Sequence, residues 1–267
     1  MKVNLNLIFG LLLFCSINVL SKAQFKATIE VNYETKIIKD SLNKFSSDTF
    51  AYTFLANKNN SYYFSREEQE FYDVIQGKSK INTSNSVQTN MGTFPKPPNS
   101  KGSVSYDGEN IIVSMPLSKY YFIYQEPKLT WEILSKTKII GTYTCKLAKT
   151  HTEKGEVFYA WFTDDIPIQD GPFRFKGLPG IILEVYNPSK TIEILMMSIK
   201  MTNEEVQPIS YLKSVKLKDK SEFITARNNY IEDPSIYNGG MKLIDSQGKD
   251  LTYKIKERLK KINVFLD

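Results

Sequence analysis

Residues 25–34 read FKATIEVNYE. Phe25, Ala27, Ile29, Val31 and Tyr33 alternate with Lys26, Thr28, Glu30, Asn32 and Glu34. A strand points successive side chains to opposite faces, so this period of two describes a strand with one face buried and one wet. The same signal recurs outward from it, each time as a pair around turn residues. Residues 50–55 and 61–64 flank Asn57-Lys58-Asn59-Asn60, and residues 104–106 and 111–113 flank Asp107-Gly108. The Asp-Gly pair suits a tight hairpin because both central positions there take positive φ. Residues 139–148 and 157–162 flank Glu153-Lys154-Gly155-Glu156, and residues 181–186 and 191–199 flank Asn187-Pro188-Ser189-Lys190. Consecutive hairpins at close spacing predict a mainly β fold, a curved antiparallel meander or half-barrel with one or two helices.

Residues 221–230 are one helix candidate. Leu251, Ile255, Leu259 and Ile262 share a helical face while Lys254, Lys256, Lys260 and Lys261 lie elsewhere, which gives the second. Such a basic amphipathic helix can lie on a membrane, but the expectation is that its apolar stripe packs on the protein's own sheet. Residues 76–102 are polar and contain Pro95, Pro97 and Pro98; residues 232–240 contain Pro234 and Gly239-Gly240. Both read as irregular, and the first is long for a loop in a compact domain.

The start of the chain carries Lys2, an apolar run over residues 7–20, and Ser21-Lys22-Ala23. That order describes a secretory signal peptide cut after Ala23. The run falls short of the roughly 20 apolar residues a spanning helix needs. Phe14 before Cys15 does not suit a lipoprotein signal. The expectation is a signal peptide at 1–23 and a single β-rich domain at 24–267, exported to the periplasm or cell surface, with no transmembrane span after cleavage. The removed segment holds Lys2 and Lys22 and no acid, so the mature charge is milder than the +6 of the full chain. With no basic stripe interleaved with aromatics, nucleic acid is not an expected partner. Only Cys145 remains after cleavage. Tyr143, Cys145 and Leu147 alternate on one strand face, which makes Cys145 a buried core thiol.

A search for catalytic chemistry yields little. His151 is the only histidine and falls near a hairpin tip. No Gly-x-Ser-x-Gly elbow, phosphate loop or zinc-ligand set occurs. No metal and no cofactor is expected. Asp164, Asp165 and Asp170 gather after Trp161-Phe162, but their spacing is not that of a calcium loop, and aspartates also punctuate turns. The chain has 16 Tyr, 16 Phe and 2 Trp, enough aromatic area to build either a core or an open face for a lipid or sugar.

Residues 131–201 carry a family resemblance. Trp131, Gly141-Thr142-Tyr143-Thr144-Cys145, Ala160-Trp161-Phe162-Thr163, Asp165-Ile166-Pro167-Ile168, Gly171-Pro172 and Gly177-Leu178-Pro179-Gly180-Ile181-Ile182 occur in order. This stretch resembles the GLPGLI family of exported Bacteroidota proteins. The resemblance implies export and supplies no activity. Physically, Pro179 fixes φ and Gly180 tolerates positive φ, which predicts a type II turn, while Gly177 would let another backbone approach closely. Residues 164–180 are therefore expected to form a rigid loop, and Trp161, Asp164, Asp165, Asp170, Gly177, Leu178, Pro179 and Gly180 are the candidate binding or motif residues. The architecture looks like the half-barrels of periplasmic lipoprotein carriers, whose concave face is apolar. The function expected is non-enzymatic: binding or carriage of a lipid, a hydrophobic ligand, a lipidated protein or an outer-membrane protein partner. The alternative is a hydrolase of envelope glycan or peptide working through Asp164, Asp165 or another carboxylate.

Overall fold

The computed structural model describes residues 24–43, 45–81, 86–89, 92–235, 244, 247–248 and 251–266. The expected signal peptide at 1–23 and residues 236–240 of the second irregular stretch lie outside them. In chain order the first elements are β1 (Phe25–Lys26), β2 (Ile29–Ile38), β3 (Ser47–Ala56), β4 (Ser61–Phe64), α1 (Arg66–Ile75), β5 (Ser86–Thr89) and β6 (Gly92–Pro95). Next come β7 (Ser103–Tyr106), β8 (Ile111–Leu117), β9 (Tyr120–Glu126), β10 (Trp131–Ile140), β11 (Tyr143–His151) and β12 (Val157–Thr163). The last are β13 (Ile181–Tyr186), β14 (Ile192–Met201), β15 (Glu205–Val206), β16 (Ser214–Lys216), α2 (Lys220–Glu232) and α3 (Thr252–Lys260).

Twelve of these strands form one sheet in the order β10-β11-β12-β13-β14-β2-β3-β4-β7-β8-β9-β16. Every neighbouring pair is antiparallel except β16, which runs parallel to β9. The sheet does not close into a barrel, since β10 and β16 are its two ends. The molecule is thus mainly β and a curved antiparallel meander, as the turn signals predict. The four expected hairpins are β3–β4, β7–β8, β11–β12 and β13–β14.

Three expectations are corrected. The run 25–34 is not one strand. It breaks at Ala27 and Thr28, where β1 leaves to pair with β15 and β2 enters the main sheet. The run 139–148 is likewise a hairpin corner, with Ile140 opposite Tyr143 and Gly141 at φ +58°. A positive φ is readily adopted by glycine, so the chain reverses there. Finally, α1 adds a third helix where no helix is expected. Its start is Ser65, whose side chain accepts the Glu68 N–H at 3.3 Å. Ser-x-x-Glu is a helix-start signature that was readable in the sequence.

Register defines the two faces. Ala148–Ala160, Ala160–Val185, Val185–Ile194, Ile194–Thr35 and Thr35–Phe50 are successive cross-strand partners, so their side chains share one face. Phe54–Tyr63, Tyr63–Val104, Val104–Val113 and Val113–Tyr124 continue that face across the sheet. It carries the main core. Phe223 of α2 stacks on Tyr124 with ring centroids 5.1 Å apart. A second, smaller core of Leu55, Tyr62, Phe64, Tyr121, Val206, Ile209 and Tyr211 lies on the opposite face. Tyr72 of α1 packs against it.

Candidate functional site

The inner face and the C-terminal elements do not meet flush. Between them lies a cavity of about 300 Å³. Thr35 and Ile37 of β2, Phe50 and Tyr52 of β3, Tyr63 of β4, Val104 of β7, and Met115 and Leu117 of β8 form its sheet wall. Phe223, Tyr230 and Ile231 of α2, Leu259 of α3, and Ile262, Val264, Phe265 and Leu266 beyond it form the opposite wall. Leu259 and Ile262 belong to the apolar stripe read from the sequence, so that stripe does turn toward the protein's own sheet. The tail is held in place by main-chain bonds: Asn263 and Val264 donate N–H groups to the Lys39 carbonyl at 2.9 and 3.2 Å. The Asn263 side chain also accepts the Ser41 N–H at 3.0 Å.

Three of the wall's hydroxyls are bonded within it or to its backbone. The Tyr63 and Thr35 hydroxyls bond each other at 3.0 Å, and the Tyr52 hydroxyl donates to the Lys101 carbonyl at 3.0 Å. A ligand entering here would meet mainly hydrocarbon and ring faces, with Lys39, Lys101 and Arg227 also in the lining. Pockets of about 300–1,000 Å³ with apolar walls and few polar groups are the usual form of small-molecule sites.

Residues 164–180 pack beside this cavity and supply Phe173 to its lining. Phe173 has φ +51°, a left-handed backbone that is unfavourable for a side chain of this size. The following residues alternate: Arg174, Phe175 and Lys176 are all buried. Phe175 packs on Phe158 and Trp131, and the Trp131 indole N–H donates to the Lys176 carbonyl at 2.8 Å. Arg174 reaches Glu126 at 2.5 Å and Glu153 at 2.5 Å, and Lys220 reaches the same Glu126 oxygen at 2.6 Å. Burial pushes the Glu126 carboxyl above its usual range, opposed by Arg174 and Lys220. Lys176 is buried against Asp170, with the Ser61 hydroxyl at 3.3 Å. Burial lowers the Lys176 ammonium below its usual value, with Asp170 working against that. Sequence reasoning passed over Arg174, Lys176, Glu126 and Lys220. The alternation of two aromatics with two cations in 173–176 was the available signal.

The candidate residues do not converge. Trp161 is 8% exposed on the face away from the cavity, opposite Leu147 and Glu184, with the Lys138 ammonium 4.6 Å from its ring. Asp164 and Asp165 are exposed. Asp164 takes a bond from Lys146 at 2.6 Å, which holds its carboxyl below the usual range. Asp170, by contrast, is buried in the Lys176 pair. Leu178 is buried and Pro179 exposed.

The two glycine roles are the reverse of the expectation. Gly177 has φ +94° and open space where a Cβ would stand. Gly180 is not in the left-handed region, and a Cβ there would lie 2.0 Å from the Thr163 carbonyl oxygen. Gly177 therefore makes the turn, and Gly180 allows the close approach. Among the described residues no three His, Cys, Asp or Glu side chains gather as a metal site. No described helix is long and apolar enough to cross a membrane.

Residues 148–184 match the family described as "Protein of unknown function (Porph_ging)". The match falls within the 131–201 stretch that carries the GLPGLI resemblance and includes β12 and the whole 164–180 loop. No curated protein is significantly similar in sequence. Among solved structures, PNGF-II in its C2 space group aligns with TM-score 0.44 at 14% identity, over 76% of this chain and 32% of that one. PNGF-II in its P21 space group aligns with TM-score 0.44 at 12% identity, over 74% and 32%. An uncharacterized conserved protein from Thermus thermophilus aligns with TM-score 0.37 at 7% identity, over 72% of this chain and 91% of that one. The chain thus spans about a third of the length of PNGF-II.

Proposed function

We propose that this chain is an exported, GLPGLI-type cell-envelope protein that binds an apolar ligand non-enzymatically in the cavity between the sheet and the C-terminal tail. One observation carries the reading: a cavity of about 300 Å³ walled mainly by aliphatic and aromatic side chains, in which the Thr35, Tyr52 and Tyr63 hydroxyls bond within the wall or to its backbone. Each buried methylene of a ligand would contribute about 0.8 kcal/mol there. The export half of the proposal is supported by the Lys2, apolar-run and Ser21-Lys22-Ala23 pattern. Among the described residues no carboxylate lines the cavity, and Asp164 and Asp170 are each tied to a lysine, so no observation favours the hydrolase alternative. The test is native mass spectrometry of the mature protein purified from its own cell envelope, followed by denaturing extraction and lipid analysis. One lipid or acylated species per chain supports the proposal. A protein that emerges empty, and stays empty after incubation with extracted envelope lipid, overturns it.

A further inference from the structure

We propose that the outer face of the sheet carries a second site, which binds one neutral hexopyranose ring over a floor of serine hydroxyls on β7 and β8. It concerns the face opposite the apolar cavity and does not rest on the apolar-ligand reading. Tyr62, Ser105 and Ile112 are successive cross-strand partners, and so are Ser103, Ser114, Ile123 and Lys216. Partners share a face, so these two rows lie side by side. Along each strand they alternate with the inner-facing Tyr63, Val104 and Val113. Phe25 of β1 and Pro208, Ser210 and Tyr211 beyond β15 form the other wall of a cavity of about 250 Å³. That wall is fixed in place. The Ile209 N–H donates to the Tyr62 hydroxyl at 2.9 Å, and the Tyr211 hydroxyl donates to the Ser103 hydroxyl at 2.9 Å. The Gln76 side chain donates to the Ser210 carbonyl at 2.6 Å.

Several polar side chains of the lining already have partners. Ser61 accepts from Lys176 at 3.3 Å, and Asn110 donates to Asp107 at 3.2 Å in the turn. Ser105 and Ser114 differ. They are diagonal neighbours on the β7–β8 pair, and neither hydroxyl has a hydrogen-bond partner among the described residues. Ser114 is only 7% exposed, yet it lines the cavity. A buried hydroxyl without a partner is costly, and a ligand hydroxyl would supply one. Each serine hydroxyl can donate once and accept twice. Two such groups side by side match a ligand whose neighbouring hydroxyls also do both, as those of a sugar ring do. The half-buried Phe25 offers ring surface to the sugar's C–H face. Asp107 and Lys216 are the charged residues of the lining, one of each sign, so the cavity selects neither an anion nor a cation. Its volume lies below the range of drug-sized pockets, which suits a single ring.

The test is nuclear magnetic resonance of isotope-labelled isoleucine methyl groups in the mature protein. The probes are the methyl glycosides of glucose, galactose and mannose, with N-acetylglucosamine, glucuronate and glucosamine. At least one neutral sugar should shift the Ile112 and Ile123 signals saturably by about 10 mM. Ile37, which lines the apolar cavity, should stay unmoved. Glucuronate and glucosamine should bind no better than that sugar. Ser114→Ala and Ser105→Ala each remove one hydroxyl and leave the packing alone, and each should weaken the sugar about fivefold. If no neutral sugar shifts Ile112 and Ile123, the assignment is overturned. It is also overturned by binding confined to glucuronate or glucosamine, by a shift at Ile37 alone, or by an affinity that both variants keep in full.

Discussion

At the scale of single residues, glycine and cysteine show what a short motif can and cannot tell. Gly177 and Gly180 sit three residues apart in one motif, yet one serves a turn and the other a backbone contact. Local sequence announces that glycine is required. Which requirement applies depends on the partner strand, here the Thr163 carbonyl at the end of β12. The two should separate by unfolding in urea. Gly177→Ala should cost about 1 kcal/mol, the penalty for a side chain at positive φ. Gly180→Ala should cost more, about 3 kcal/mol, because the sheet end must shift to admit the methyl group. Equal losses would contradict the assigned roles. Cys145 was legible as a core thiol from its alternation with Tyr143 and Leu147, and it is fully buried. Burial pushes its pKa up to about 11. Since the thiolate is the reactive form, iodoacetamide should leave native Cys145 unmodified at neutral pH and alkylate it in denaturant. Rapid native alkylation would show that the β10–β11 end opens.

At the scale of elements, the hairpins were readable because turn chemistry is local: Asn57-Lys58-Asn59-Asn60 and Asp107-Gly108 lie where the chain reverses. The helix α1 was hidden in a polar stretch directly after a strand, though its Ser65-x-x-Glu68 start was visible. That helix sets a buried carboxylate into the second core. Glu68 accepts from the Gly102 N–H at 2.9 Å and the Tyr211 hydroxyl at 3.2 Å, and it is bonded by Tyr121. Burial nonetheless raises its pKa above the ordinary 4.5, outweighing those bonds. The folded state therefore holds this proton more tightly than the unfolded state. Glu68's contribution to stability is greatest below the unfolded value and declines as pH rises through the raised folded one. Glu30 and Glu153 have lowered values and act with the opposite sign, so the difference between wild type and Glu68→Gln isolates the effect. In denaturant titrations Glu68→Gln should gain stability relative to wild type as pH rises from 4.5 toward neutral. A difference that is flat with pH would contradict a raised Glu68. The buried Arg174–Glu126 pair joins the 164–180 loop to β9. Arg174→Met should destabilise the fold by about 3 kcal/mol, since it leaves Glu126 buried with Lys220 as its remaining cation. Loss of less than ~1 kcal/mol in urea would mean that Lys220 alone suffices.

At the scale of the whole molecule, the fold class was legible and the site was not. Period-two alternation and turn residues determine an antiparallel meander, and each is local. The cavity is assembled from β2, β3, β4, β7 and β8 on one side and from α2, α3 and the tail on the other. The two groups of segments lie far apart in the sequence, and no spacing rule connects them. The residues singled out from the sequence cluster instead around the 164–180 loop, which contributes Phe173 to the lining and otherwise supports the wall through its buried ion pairs. The central claim concerns the cavity, so the decisive measurement is saturation binding of N-phenylnaphthylamine to the mature protein and to Ile37→Trp, whose larger ring fills the cavity from the sheet side. The account predicts one saturable site per chain in the wild type and at least a tenfold weaker site in a variant whose circular dichroism is unchanged, since overfilling removes the volume that a ligand would occupy. Binding that is absent in the wild type, or undiminished in Ile37→Trp, would contradict it.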